Sequence, residues 1–122
     1  MNERILLIED NDNNRYLVTY LLNASGYEVV HAIDGVTGVA LAAQLRPALI
    51  LLDIQLPGMD GYAVARALKA DAATALIPIV AVTSYAMAGD RERALAAGCT
   101  GYVEKPINPE TFVVTVRAHL PR

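Results

Sequence analysis

The chain has a single cysteine in 122 residues, Cys99, so no internal disulfide framework can form and a reducing compartment suits it. Its neighbours Ala96, Ala97 and Gly98 mark it as an ordinary buried thiol rather than a reactive one. Basic residues are scarce. With 10 Lys and Arg against 13 Asp and Glu, the net charge is −3, and the basic stripe needed to bind nucleic acid is missing. No apolar run approaches the length of a membrane span. No linker, internal repeat or low-complexity segment interrupts the chain. The start, Met1-Asn2-Glu3-Arg4, leads straight into a strand pattern, so no signal peptide and a cytoplasmic location are expected. The last helical pattern runs to within a residue or two of the end, so one domain over residues 1–122, with no effector domain, is expected.

What the chain does have is apolar content. At 54% hydrophobic it can fill a real core, which excludes disorder. Strand and helix patterns alternate five times. The spacing predicts strands at Arg4–Ile8, Tyr27–Ala32, Ala48–Leu52, Ile79–Val82 and Gly101–Glu104. Between them, Asp12 or Asn13 caps a helix to about Ala24, with Leu17, Val18, Leu21 and Leu22 on one face and Gly26 ending it. Asp34 caps a second helix, with Val36, Val39, Ala40 and Ala43 inward. A loop over Ile54–Asp60 leads to a third helix over about Gly61–Ala70, and a fourth covers about Met87–Ala97. Asn108 caps the last helix, with Pro109 at its first position and Phe112, Val113, Val116 and Leu120 facing the core. The first, third and fourth strands are apolar on both faces, the mark of a parallel sheet covered by helices on each side. The expected fold is an open doubly wound α/β sheet with strand order 2-1-3-4-5.

Four polar residues follow four of these apolar runs: Asp10, Asp53, Thr83 and Lys105. In a parallel sheet all four lie along one edge. Ligands of such sheets bind outside the carboxyl ends of the strands, at the switch point between the first and third, where Asp10 and Asp53 stand. Two adjacent carboxylates repel unless a cation is present, and a hard divalent ion such as Mg²⁺ suits oxygen ligands. Glu9 adds a third acid. A carboxylate beside Mg²⁺ can attack a phosphoryl group to give an aspartyl phosphate. Lys105 offers a mobile positive charge and Thr83 a hydroxyl donor to phosphoryl oxygens. His31 and His119 are poorly placed for this chemistry and read as structural or solvated.

The motifs Ile8-Glu9-Asp10-Asn11, Leu52-Asp53-Ile54-Gln55-Leu56-Pro57-Gly58-Met59-Asp60-Gly61, Val82-Thr83-Ser84 and Glu104-Lys105-Pro106 closely resemble the receiver domain of bacterial response regulators, over essentially the whole chain. That resemblance implies a flavodoxin-like (βα)5 fold and a two-component or phosphorelay switch. Asp53 would be the phosphoacceptor, and Glu9, Asp10, Asp53 and the Gln55 backbone carbonyl would hold Mg²⁺. Thr83, Lys105 and the Ser84 backbone would contact the phosphoryl group. It also implies a cis Lys105–Pro106 bond that aims the lysine inward, and a switch in which Thr83 moves toward phosphate while Tyr102 rotates into the vacated space. The altered face would be the fourth helix, fifth strand and fifth helix. By the same resemblance Gln55 and Tyr85 flank the path of attacking water. Tyr85 could lengthen the life of the aspartyl phosphate by obstruction, or Gln55 shorten it by orienting water. The run from Glu9 to Asn14 and the stretch Thr83–Met87 look like phosphorelay, hybrid-kinase or stand-alone cell-cycle receivers.

The implied partners are a histidine kinase or histidine phosphotransfer protein and an unidentified downstream protein, with no nucleic acid and no membrane. Tyr16 and Tyr20 on the first helix could serve the donor or simply be amphipathic helix residues. The same domain excised from a hybrid histidine kinase would read identically, and a binding module that never takes phosphate is a further alternative. A turnover phosphatase of the haloacid-dehalogenase type is disfavoured, because such enzymes place a second Asp where this chain has Gln55 and carry a cap domain.

Overall fold

The computed structural model describes residues 3–84 and 89–120. Five strands, β1 (Arg4–Ile8), β2 (Glu28–Ala32), β3 (Leu49–Asp53), β4 (Ile79–Thr83) and β5 (Gly101–Glu104), alternate with five helices, α1 (Asp12–Ala24), α2 (Gly35–Leu45), α3 (Gly61–Ala70), α4 (Asp90–Ala96) and α5 (Pro109–His119). All pairings are parallel, in the order β2-β1-β3-β4-β5, as the sequence pattern predicts.

Alternation along the central strands sorts the core into two layers. Leu6, Ile8, Ile50, Leu52, Ile79 and Ala81 meet Ala42 of α2, Val64 and Leu68 of α3 and Ala94 of α4. Ile5, Leu7, Leu49, Leu51, Val80 and Val82 meet Val18 and Leu22 of α1 and Phe112 and Val116 of α5. Nearly every one of these side chains is sealed from water. Each Leu or Ile so buried stabilises the fold by about 1.5–3 kcal/mol. The helix after β1 therefore packs on one face and the helix after β3 on the other, which opens the crevice between their carboxyl ends.

Three local details differ from the sequence expectation. Asn11, not Asp12 or Asn13, caps α1, its side chain accepting from the Asn14 N–H at 2.9 Å. Strands β3 and β4 each run one residue further, so Asp53 and Thr83 are terminal strand residues rather than loop residues. Helix α2 is rotated from its predicted face. Val36 and Ala40 point outward, while Gly35, Gly38 and Ala42 are buried, with Val39 and Leu41 packed beside them. The reason is close approach: a Cβ on Gly38 would lie 2.5 Å from Ile8 Cδ1. Apolar bulk is what a pattern search rewards, yet here the helix presses its smallest residues against the sheet. The caps expected at Asp34 and Asn108 are present, accepting from the Thr37 and Glu110 N–H groups. The predicted start of the fourth helix at Met87 lies outside the described residues, as does Tyr85.

One glycine fixes the functional loop. A Cβ on Gly61 would stand 2.5 Å from Ile54 Cα and 2.8 Å from the Asp53 carbonyl oxygen, and backbone cannot step aside as a side chain can. Gly61→Ala is therefore expected to destabilise by about 1–3 kcal/mol, the usual cost of overpacking. Chemical denaturation checks this, and a variant as stable as the parent would show that the loop relaxes freely.

Candidate functional site

Hydrogen bonds that continue the sheet past its strands set the positions of the site residues. The Glu9 N–H donates to the Ala32 carbonyl at 3.0 Å, Ile54 N–H to Val82 at 3.0 Å and Lys105 N–H to Thr83 at 2.7 Å. Glu9, Asp10, Asp53, Gln55, Ser84 and Lys105 accordingly converge on one cleft of about 210 Å³, together with Asn11 and Asn14. Thr83, buried at the end of β4, is not among the described residues lining it.

Carboxylate oxygens of Glu9, Asp10 and Asp53 all lie within 4.8 Å of one another. Glu9 and Asp53 are 2% and 3% exposed, so water does little to relieve their repulsion. Lys105 answers part of the charge, with Nζ 3.0 Å from Glu9 Oε1 and 3.4 Å from Asp53 Oδ2. The Lys105–Pro106 bond is cis, as the resemblance implied. Asp53 Oδ1 accepts from the Gln55 backbone N–H at 2.9 Å. Burial is the main force on the Asp53 carboxyl and pushes it up to about 6, with neighbouring Glu9 adding to the rise and the Gln55 N–H and Lys105 opposing it. One lysine facing three carboxyl groups leaves a deficit of positive charge, and the cluster can hold a metal ion.

Beyond the acids, the Gln55 side chain spans the gap to β4. Its amide nitrogen donates to Thr83 Oγ1, and its amide oxygen accepts from the Ser84 N–H at 3.2 Å. Tyr102 lies two register rows inside Thr83 on the same sheet face, opposite Ala81, and is half-buried against the α3 and α4 side of the core. Burial, then the charges of Asp90 and Glu104, raise its phenol above the ordinary value.

The other candidate groups fall elsewhere. His119 packs against Gly101 and contacts the Thr115 carbonyl through Nδ1 at 2.9 Å, a structural role. His31 is exposed and lines a separate groove of about 440 Å³ with Tyr16 and Tyr20, whose rings stack 6.5 Å apart. Cys99 is buried, and that burial pushes its thiol up to about 11, which fits the inert reading.

Sequence reasoning missed Arg15 and the detailed part of Asn11. The Asn11 backbone N–H donates to Glu9 Oε2 at 3.3 Å, while Arg15 Nη1 donates to the Glu9 carbonyl at 3.0 Å and its other nitrogen pairs with Asp12. The available signal was helical: residues 11 and 15 are one turn apart on the helix that starts at the cleft.

Comparison with known proteins agrees with this geometry. A family model described as the response regulator receiver domain matches residues 5–117. The polar-differentiation response regulator DivK of Brucella anthropi is 42% identical over 120 residues, covering 98% of each chain. The solved structure of the chemotaxis response regulator CheY4 of Vibrio cholerae superposes with a TM-score of 0.92 at 30% identity, over 98% of this chain and 100% of that one. The receiver domain of the sensor histidine kinase PA1611 from Pseudomonas aeruginosa, solved with a magnesium ion coordinated in its active site cleft, superposes at 0.90 with 34% identity and 98% coverage of both. Because the likeness takes in the strand ends together with the sheet that carries them, the chain belongs to the response regulator receiver domain family, the phosphoacceptor switches of two-component signalling.

Proposed function

We propose that Asp53 is the phosphoacceptor and that the whole chain, residues 1–122, works as one cytoplasmic receiver domain. The observation that carries this reading is the position of Asp53: last in its strand, buried, and within 3.4 Å of the Lys105 ammonium. A phosphohistidine of a histidine kinase or histidine phosphotransfer protein is the donor. An Asp53 carboxylate oxygen attacks phosphorus, the P–N bond breaks, and the imidazole nitrogen keeps the electron pair and is protonated from solvent. Lys105 and the Thr83 hydroxyl then face the phosphoryl oxygens, with the Ser84 N–H as a third donor.

The donor set fits Mg²⁺. Three carboxyl groups outnumber the one lysine, all offer oxygen, and Mg²⁺ is bound through few carboxylates while keeping its waters. Glu9, Asp10, Asp53 and the Gln55 carbonyl would hold it, and when bound it supplies positive charge that keeps Asp53 ionised and offsets the charge on phosphoryl oxygens. The magnesium ion in the Pseudomonas receiver supports this choice.

The switch runs through Thr83 and Tyr102, which share one face of the sheet. Movement of Thr83 toward the phosphoryl group frees space for the Tyr102 ring and alters the α4-β5-α5 surface presented to a downstream protein. The donor docks along α1, where Asn14 lines the cleft and Tyr16 and Tyr20 are exposed on the same helix.

Intact mass after incubation with Mg²⁺ and acetyl phosphate tests the assignment. One added phosphoryl group, absent in Asp53→Asn and in EDTA, is the expected result. Addition to the Asp53→Asn protein would move the acceptor elsewhere. Folded, Mg²⁺-loaded protein that takes no phosphoryl group from acetyl phosphate or a purified phosphotransfer donor would favour the phosphorylation-independent module.

A further inference from the structure

We infer that the Gln55 side chain is a built-in stand-in for the phosphoryl group, holding Thr83 and Ser84 until phosphate displaces it. This rests on the reading of Asp53 as acceptor with Thr83 and the Ser84 N–H as phosphoryl contacts. Those are the two groups that the Gln55 amide occupies.

The orientation of the amide is fixed by chemistry. A backbone N–H can only donate, so the Gln55 group facing Ser84 must be the carbonyl oxygen, which leaves the NH₂ for Thr83 Oγ1. The amide oxygen thus sits on Ser84 as a phosphoryl oxygen would. The amide nitrogen engages the hydroxyl that phosphate needs. The cleft supplies an independent observation: it is lined by Gln55 and Ser84, whereas Thr83 is not among the described residues lining it. The Gln55 amide stands between the hydroxyl and the acidic cleft. The main chain that carries it is fixed, because the Ile54 N–H is tied to Val82 at 3.0 Å and the Gln55 N–H to Asp53 at 2.9 Å.

Gln55 is therefore a positioning residue with opposing duties. Its main chain serves the acceptor, through the N–H on Asp53, while its side chain competes with the incoming group. Entry of a phosphoryl group must break both amide contacts, and loss of phosphate lets them reform, which biases the resting state and sets Thr83 in its unphosphorylated position. Phosphoryl affinity is reduced by whatever the contacts contribute.

The test uses beryllofluoride as the phosphoryl mimic on the full chain, comparing the parent with Gln55→Ala. At saturating Mg²⁺ the variant is expected to bind beryllofluoride about tenfold tighter, the scale of two modest hydrogen bonds that no longer have to be broken. Mg²⁺ affinity is measured alone on each protein, so that any change carried through the Gln55 carbonyl is separated from the gain in beryllofluoride binding at saturating Mg²⁺. Hydrogen exchange at the Ser84 amide, without any mimic, should be slow in the parent and faster in the variant. Unchanged or weaker beryllofluoride binding, or equal Ser84 exchange, overturns the inference while leaving the phosphoacceptor reading intact. A parent chain that binds no beryllofluoride and takes no phosphoryl group on Asp53 overturns both.

Discussion

Lys105→Ala is expected to slow phosphoryl uptake about a hundredfold, the scale of losing one preorganised charged donor, and to weaken the metal-free fold at neutral pH by about 1–3 kcal/mol. The two effects share one cause. Lys105 Nζ is 3.0 Å from Glu9 and 3.4 Å from Asp53, and its side chain is only 12% exposed. Removing it leaves two buried carboxyl groups without their cation. Breaking a buried pair from one side typically costs about 3–5 kcal/mol, but here the site has an escape. Asp53 is already pushed up to about 6, so it can take a proton and shed part of the cost. That escape gives the prediction its signature. Thermal melts of Lys105→Ala in EDTA should show the deficit shrinking at pH 5 and shrinking in part when Asp53→Asn is added, the remainder belonging to Glu9, whose contact with the lysine is the shorter one. Saturating Mg²⁺ should also recover most of the stability but little of the phosphorylation rate, because the lysine's contact with the phosphoryl oxygens stays lost. A Lys105→Ala protein as stable as the parent at pH 7.5 would mean that the carboxyl groups find other relief.

The balance between these effects also explains what could be read from the sequence. The fold was legible because its determinants are redundant. Continuous apolar strands, capping residues at Asp34 and Asn108, and a glycine after α1 all point to the same alternation. The site was legible because topology brings strand ends together without help from side-chain detail: Asp53, Thr83 and Lys105 needed only the strand order to become neighbours. The orientation of α2 was not legible, since its inward face is made of Gly35, Gly38 and Ala42 and carries less apolar bulk than the outward Val36. Nor was the bridge from Gln55 to Thr83 and Ser84. It joins residues 28 and 29 positions apart through a rotatable side chain, and no periodicity encodes a rotamer. The helix cap shows a smaller failure of the same kind. Asn11, Asp12, Asn13 and Asn14 are all competent caps, and only the backbone conformation at Asn11 chooses among them.

Stability of the metal-free protein should fall as pH rises from about 4 to about 6.5, the reverse of the usual behaviour of a paired carboxylate. The sign follows from Asp53. Its carboxyl titrates from 3.8 when unfolded but only at about 6 in the folded chain, chiefly because burial disfavours the charge. Near pH 3 and below both states hold the proton and the group contributes nothing. Between the two values the unfolded chain has released its proton and the folded chain has not, so each step up in pH favours unfolding. Above about 6.5 the loss is complete, at about 3 kcal/mol before screening and about 1–2 kcal/mol once water in the open cleft is allowed for. Asp53→Asn removes the titration. In EDTA the variant should therefore melt several degrees above the parent at pH 7.5, on the scale of about 2–4 °C per kcal/mol or more for a domain of this size, and close to it at pH 4.5. Mg²⁺ reverses the order for the parent: it binds the ionised acids of the folded state, so its stabilisation grows with pH and is mostly lost without Asp53. Melting curves for the two proteins, with and without Mg²⁺ at both pH values, read all of this directly. Equal melting temperatures in EDTA at pH 7.5 would mean that the ion pair with Lys105 already offsets the burial of Asp53, and that charge deficit is not what prepares this cleft for a cation.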